Sequence, residues 1–320
     1  MAVWERLRTH FDSNRRNLVA SHSTCANIKK AHSLTWFFFT TTERQEKALY
    51  THHPFRCRPD WGRHGVHQAA ERGDILVIVD TLSFSTAVVT AVHNGGLIYP
   101  CSPEEDATAL AQHLGGEAAV SRRDVPERGR FSLSPATYLH LETGTRVVLA
   151  SPNGATCSRY AGQVPCLLVG ALVNAKAVAA AVSVLLEQRN LLVTVIACGE
   201  RWKIPSEDGE LRIAVEDYLG AGAILSYLWH EKSPEARVCE GAFVKVRDDL
   251  DALLWECGRG RELRERGFGV DVQHAACLNA YETVPHMRDN HFEPFDFTQH
   301  HRWARSRAWT TSNEGKQKGR

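Results

Sequence analysis

Five apolar residues in a row, Ile75 to Val79, end on Asp80, and four hydroxyl residues crowd in behind them: Thr81, Ser83, Ser85 and Thr86. An apolar run without polar alternation suits a strand covered on both faces, as in sheets that carry helices on either side. The same pattern returns along the chain. "ILVIV" precedes the helix-like "STAVVTAVHN", "GLIYP" precedes "SPEEDATALAQHL", "TRVVLA" precedes "SPNGATCSRYA", and "CLLVG" precedes "NAKAVAAAVSVLLEQ". "LLVTVIA" leads through a polar loop to "RIAVEDYLGAGAILSYLW". Five successive strand–helix units predict α/β layers around a mostly parallel or mixed sheet. In the second unit Ser102 suits a helix cap, Pro103 the first helical position, and Glu104 and Glu105 the positive end of the helix dipole. From about residue 233 to 297 the chain reads as mainly helical and is expected to pack on the sheet.

With 320 residues and 43% hydrophobic content, the chain can bury the core of one large domain or two small ones. A net charge of +1 gives no reason to expect nucleic acid or an acidic membrane surface. The nine cysteines are odd in number and form no CxxC pair, which argues against a zinc cage and a complete disulfide set. Reduced thiols and a cytoplasmic location are the expectation. The aromatic-rich uncharged run Leu34 to Thr42 is about half of what spans a bilayer. Residues 1–50, with eight basic residues against four acidic, read as a poorly ordered extension. Residues 51–298 read as the functional domain, and residues 299–320 as a basic tail.

In open α/β sheets ligands bind beyond the carboxyl ends of the strands. The residues that follow each apolar run are therefore the informative ones: Asp80 with Thr81, Ser83, Ser85 and Thr86; Ser151, Asn153, Gly154 and Thr156; Asn174; and Gly199, Glu200 and Arg201. Ser85 and Thr86, and the turn "SPNGAT", stand where helices open, so free amides and short hydroxyls there suit an anion such as phosphate. Each of these hydroxyls, and Asp80 itself, also suits a plain helix cap. Glu216 and Asp217 sit side by side on a helix rich in small residues, and Arg201 offers a fork for a carboxylate or phosphate. Carboxylates with oxyanion donors and no thiolate pattern suit Mg²⁺. Phosphate monoesters hydrolyse so slowly unaided that the acceleration needed approaches about 10²¹-fold. A helix end contributes only about 0.3 to 2 kcal/mol, so a metal with positioned donors would have to carry such chemistry.

Other motifs fail on spacing. "RHGVH" (Arg63 to His67) has the opening of a histidine-phosphatase signature but precedes the first strong strand instead of ending it. Leu82 stands where a haloacid-dehalogenase phosphatase needs its second Asp. "GAGAIL" (Gly220 to Leu225) lies within a helix and reads as close helix packing, since it lacks the third glycine of a dinucleotide fingerprint.

Five blocks in order, "VIVDTLSFSTAVVTAVHNGG", "SPNGAT", "GALVNAKAVA", "ACGERW" and "LRIAVEDYLGAGAIL", together with the upstream "FRCRPDWGRHGV", resemble the 2-phosphosulfolactate phosphatase family, the ComB-like proteins of coenzyme M biosynthesis. The resemblance spans about residues 53 to 292. It implies a three-layer α/β/α fold and an Mg²⁺-dependent phosphatase for the ester of a small 2-hydroxy acid. The family's first strand-end Asp falls on Asp80, its hydroxyl pair on Ser85 and Thr86, its Asn-Gly turn on Asn153 and Gly154, its block asparagine on Asn174, and its Glu-Asp pair on Glu216 and Asp217. One departure stands out: the coenzyme M type often shows Arg where this chain has Ser83, which removes a guanidinium from the anion site.

The resulting expectation is that Asp80, Glu216 and Asp217 hold the metal and act in catalysis. Ser85, Thr86, Ser151, Asn153, Gly154, Asn174 and Arg201 bind substrate. The expected partner is a small anionic phosphorylated substrate, with neither nucleic acid nor a membrane involved, and assembly into a homo-oligomer stays open. The alternative is a non-catalytic metabolite-binding protein that retains the anion pocket.

Overall fold

The computed structural model describes residues 55–298, apart from 189, 190 and 208. The predicted extension over residues 1–50 and tail over 299–320 lie outside the described residues. Strand β1 (Cys57–Trp61) leads to α1 (Gly62–Arg72), β2 (Ile75–Val79) to α2 (Phe84–His93), and β3 (Leu97–Cys101) to α3 (Ala107–Leu114) and the short β4 (Glu117–Ala118). Next come β5 (Arg146–Ala150) with α4 (Gly154–Tyr160), and β6 (Leu167–Val169) with α5 (Ala175–Gln188). β7 (Val193–Ala197) is followed by the hairpin β8 (Glu200–Ser206) and β9 (Gly209–Arg212), then α6 (Val215–Tyr227). The chain continues through α7 (Pro234–Val246), α8 (Leu250–Glu256), α9 (Gly258–Glu265) and α10 (Gly269–Ala276) to β10 (Pro285–Arg288) and β11 (His291–Pro294).

All five residues of β2 are buried, because alternate side chains serve two cores. Ile75, Val77 and Val79 pack with residues of α5, α6 and α7, whereas Leu76 and Ile78 pack with residues of α1, α2 and α4. Helices therefore cover both faces, and the molecule is a three-layer α/β/α structure around a mixed sheet, as the resemblance implied. The nine strands run in the order β1-β7-β2-β6-β10-β11-β3-β5-β4. Two parallel groups, β1-β7-β2-β6 and β3-β5-β4, are joined by the antiparallel hairpin β10–β11.

Residues 233–297 are mainly helical, as expected, with α7 to α10 running from Pro234 to Ala276, and only the β10–β11 hairpin departs from that reading. Asp289 and Asn290 both have positive φ (47° and 66°), the conformation of a two-residue hairpin turn that suits Asp and Asn. A second correction concerns α3. Ser102 to Glu105 form a separate turn, with the Ser102 amide donating to the Glu105 carboxylate at 2.8 Å. The helix starts only at Ala107, where Asp106 accepts from the amides of Thr108 and Ala109 at 3.0 and 2.9 Å. A carboxylate serving two amides is the stronger cap. The polar stretch after β7, read as a loop, is the β8–β9 hairpin.

The small residues of α6 act as the sequence suggested. A Cβ on Gly220 would lie 2.6 Å from Thr81 Oγ1, and one on Gly222 would lie 2.3 Å from the Cys239 carbonyl oxygen. Their absence lets α6 sit against the end of β2 on one side and α7 on the other. Glu216 and Asp217 are thereby brought under Asp80. Among the described residues no helix is long and apolar enough to cross a membrane.

Candidate active site

Asp80 leaves the end of β2 and is 4% exposed. One of its oxygens accepts from the Phe84 amide at 3.3 Å, and the other from the Gly154 amide at 2.9 Å. The carboxylate thus joins the first turns of α2 and α4. Only glycine allows this at position 154, since a Cβ there would lie 2.3 Å from a Phe84 ring carbon. Ser151 Oγ, 3.5 Å from the same Asp80 oxygen, accepts in turn from the Asn153 amide at 3.2 Å. Asn153 donates its side-chain amide to Glu200 at 3.0 Å.

Beneath lies Asp217, 2% exposed, which accepts from the Thr81 amide at 2.7 Å and the Gly199 amide at 2.9 Å. Gly199 has φ +68°, and a Cβ on it would meet Leu211 at 2.6 Å, so the turn that aims this amide needs glycine. Glu216, also buried, is hydrogen-bonded to the Cys257 thiol, whose own pKa burial pushes up to about 12. Arg259 of α9 closes the site. Its Nε lies 3.0 Å from Glu200, and Nη1 donates to Glu262 at 2.6 Å.

Electrostatics tie these groups together. Burial raises the pKa of Asp80, and the amides of Gly154 and Phe84 and the Arg259 charge pull it back. Burial also raises Glu200, with Arg259 opposing and Asp80 adding to the rise. Glu216 is raised by burial and by Asp80. Asp217 lies well above the usual carboxylate range through burial, Asp80 and Glu216. Four carboxylates thus repel one another in one crevice, with Arg259 as the nearby cation on Asp80 and Glu200.

Several predicted residues serve the framework instead of facing an anion. Ser85 Oγ accepts from the Asp80 amide at 2.9 Å and donates to the Ile78 carbonyl at 3.2 Å. Thr86 Oγ1 donates to the Thr81 carbonyl at 2.8 Å. With both hydroxyls fully buried and the Phe84 and Gly154 amides spent on Asp80, neither helix end is the open cradle the sequence suggested. Asn174, fully buried, accepts from the Ala171 amide at 2.9 Å and donates to the Thr283 carbonyl at 3.0 Å, so it braces a loop. Arg201 pairs with Glu210 across the β8–β9 hairpin at 3.4 Å.

The guanidinium that Ser83 lacks arrives from elsewhere. Arg122 donates to Ser83 Oγ, to the Leu133 carbonyl at 3.0 Å and to Asp271 at 2.8 Å. Arg259 follows no strand, and Arg122 follows only the two-residue β4, which prints no apolar run, so the strand-end rule passes over both. Glu200, which that rule did reach, is the carboxylate that meets both Asn153 and Arg259.

The sequence model of the family described as 2-phosphosulpholactate phosphatase matches residues 63–290. The chain belongs to this family. It is 30% identical over 217 residues to a probable 2-phosphosulfolactate phosphatase of Carboxydothermus hydrogenoformans, covering 66% of this chain and 84% of that protein. A probable 2-phosphosulfolactate phosphatase of Thermosynechococcus vestitus is 27% identical over 255 residues, covering 74% and 95%. The 2-phosphosulfolactate phosphatase of Methanocaldococcus jannaschii is 24% identical over 223 residues, covering 66% and 88%.

For a member of the 2-phosphosulpholactate phosphatase family the donor set can be tested against Mg²⁺. The available ligands are hard carboxylate oxygens, which suit the ion. Among the described residues no group of three His, Cys, Asp or Glu side chains is arranged to hold a metal by itself. Mg²⁺ is ordinarily held by one or two carboxylates, with water and substrate phosphate completing the shell. Asp80 with Glu200 or Glu216 fits that mode, each Asp80 oxygen keeping a lone pair beyond its one main-chain amide; Asp217 is held in the same way by the Thr81 and Gly199 amides.

Proposed function

We propose that this chain is a phosphoric monoester hydrolase acting on the phosphate ester of a small 2-hydroxy acid, with 2-phosphosulfolactate as the reference substrate and Mg²⁺ as the cofactor. The observation that carries this reading is the set of four mutually repelling carboxylates, three buried and Glu200 half-buried, beside Arg259 in a chain of this family. Repulsion of that kind is relieved by a cation. Asp80 and Glu200 or Glu216 would hold Mg²⁺, which supplies charge neutralisation at the phosphoryl oxygens and polarises water.

The chain's own residues have separable tasks. Arg259 and the Asn153 side-chain amide are positioned to take phosphoryl oxygens, and an arginine fork suits that geometry. Glu200, with its pKa raised by burial, is suited to accept a proton from an attacking water. Asp80, with both oxygens held by amides, is suited to orient and to ligate more than to attack. This favours water over a carboxylate as nucleophile.

The test is phosphate release from phosphorylated hydroxy acids with and without Mg²⁺. Release is expected to require Mg²⁺, and Asp80→Asn is expected to lower it by at least about 10³-fold, near 4 kcal/mol of barrier. Full activity in that variant would remove the assigned role. Thermal stabilisation by the ester without any release, Mg²⁺ being present, would favour the metabolite-binding alternative.

A further inference from the structure

A cavity of about 210 Å³ opens beside Asn153 and Glu200, with Trp61, Arg63, His64 and Arg201 also in its wall. Its charges can be paired off. Arg201 is met by Glu210 at 3.4 Å and Glu200 by Arg259 at 3.0 Å. Arg63 has no carboxylate partner among the described residues. Its Nε and Nη2 are shut off from solvent and have no hydrogen-bond acceptor. The guanidinium carbon lies 5.3 Å from the centre of the Tyr160 ring, which attracts the charge but satisfies no N–H. Buried donors of a charged group are rarely left unmet, and one that is calls for an explanation such as an ordered water, an ion or a functional role.

We propose that Arg63 seats the second acidic group of the substrate, a carboxylate or sulfonate, while the phosphoryl group lies at Asn153 and Arg259. The inference rests on the phosphatase reading for the identity of the ligand, and on the cavity and the unmet guanidinium for its place. A carboxylate or sulfonate presents two or three oxygens in the geometry an arginine fork matches. A small turn of the Arg63 head into the cavity it lines exchanges unmet donors for paired ones. The same wall carries Asn153 and Glu200, so one small molecule bearing two anionic ends can reach both. Arg201, the cation the sequence offered for this task, has its charge already met. Arg122 and Arg123 line a separate cleft of about 540 Å³ whose wall contains neither Asn153 nor Glu200.

The experiment compares the wild type with Arg63→Gln, Arg63→Lys and Arg123→Gln. Two quantities are read: steady-state phosphate release from 2-phospholactate and 2-phosphosulfolactate, and calorimetric binding of sulfolactate, which needs no turnover. Arg63→Gln is expected to raise KM at least tenfold with kcat within threefold, and to weaken sulfolactate binding at least tenfold. Arg63→Lys should recover part of the binding, and Arg123→Gln should stay within twofold of wild type on both readouts. A wild type that does not bind sulfolactate, or an Arg63→Gln protein that binds it within twofold of wild type, overturns the inference. The Lys variant carries the test if thermal unfolding shows the Gln variant misfolded, and sulfolactate binding by it at wild-type strength with unchanged KM also overturns it. Loss of phosphate release from every ester, with sulfolactate binding still dependent on Arg63, rejects the phosphatase reading and keeps the pocket. Normal release with binding indifferent to Arg63 does the reverse.

Discussion

The floor and the rim of the crevice hold their carboxylates by different means. On the floor, Asp80 and Asp217 are 4% and 2% exposed and rest on four main-chain amides, those of Phe84, Gly154, Thr81 and Gly199. At the rim, Glu200 is held by the side chains of Asn153 and Arg259, and the hairpin it begins carries Trp202 at 52% and Ile204 at 86% exposure. Main-chain donors cannot rotate away, so the floor fixes where the strand ends lie. Side-chain donors can be exchanged for a ligand, so the rim is where a substrate can enter into the bonding. The rim should therefore answer to mutation in turnover with little loss of stability, and the floor in stability, with Asp80 answering in turnover as well through the metal it would hold.

The strongest way to break this division is at Glu200. Glu200→Gln keeps the size and a hydrogen-bonding end but removes the proton acceptor. Loss of a general base typically costs about 10²- to 10⁴-fold, and a fall in kcat of that size is expected. Urea unfolding should move by less than about 1 kcal/mol, since Arg259 keeps Glu262 and the partly exposed pair contributes little. A folding defect larger than the kinetic one would put Glu200 with the floor.

At Asp217 the opposite balance is expected. Asp217→Ala leaves the Thr81 and Gly199 amides unmet, at about 1 to 3 kcal/mol each, while relief of repulsion from Asp80 and Glu216 returns part. A net loss of about 2 to 4 kcal/mol in urea unfolding is the prediction. Stability equal to wild type would show that the floor is not braced in this way.

Legibility in the sequence follows the same division. The five strand–helix units were readable because strands buried on both faces print unbroken apolar runs. Asp80, Asn153 and the Glu216–Asp217 pair were reachable because they stand directly at a strand end or at helix starts. β10 and β11 were not, because "PHMR" and "HFEP" are four residues each and half polar; the Asp289-Asn290 turn was their one signal. Arg259 and Arg122 were hidden for another reason. They come from stretches whose charge looks like an ordinary solvated surface, and only tertiary packing turns them inward. The hydroxyls of Ser85 and Thr86 misled because a capping side chain and an anion donor have the same sequence signature.

Removing or supplying the cation sharpens the comparison more gently. The carboxyl pKa values of Asp80, Glu200, Glu216 and Asp217 are raised in the folded state, so above about pH 4 the native protein binds more protons than the unfolded chain. Stability is thus fully present below that pH and is lost as pH rises through the raised values. A bound cation favours the ionised forms and opposes the loss. Without divalent ions, the thermal midpoint should fall as pH is raised from 4 toward 8. Mg²⁺ at ten times its Kd should restore about 1.4 kcal/mol at the upper end and little at the lower. An Mg²⁺ effect that does not grow with pH would detach the ion from these carboxylates.

The smallest effect is expected at Arg201, although its place at a strand end made it the cation of choice from sequence. It is 28% exposed and its partner Glu210 is 57% exposed, so both are substantially solvated and the pair is of the kind that contributes about 0 to 1 kcal/mol. Arg201→Gln should therefore change stability by less than about 0.5 kcal/mol. It should also change KM by less than about threefold, or less than 0.7 kcal/mol, because the hairpin partner already meets the charge a substrate would have to compete for. The two arginines share one cavity wall and differ mainly in whether a carboxylate stands opposite, so Arg201→Gln and Arg63→Gln measured side by side isolate that difference. A KM effect at Arg201 as large as that at Arg63 would show that ion pairing within the hairpin does not withhold a rim cation from the substrate.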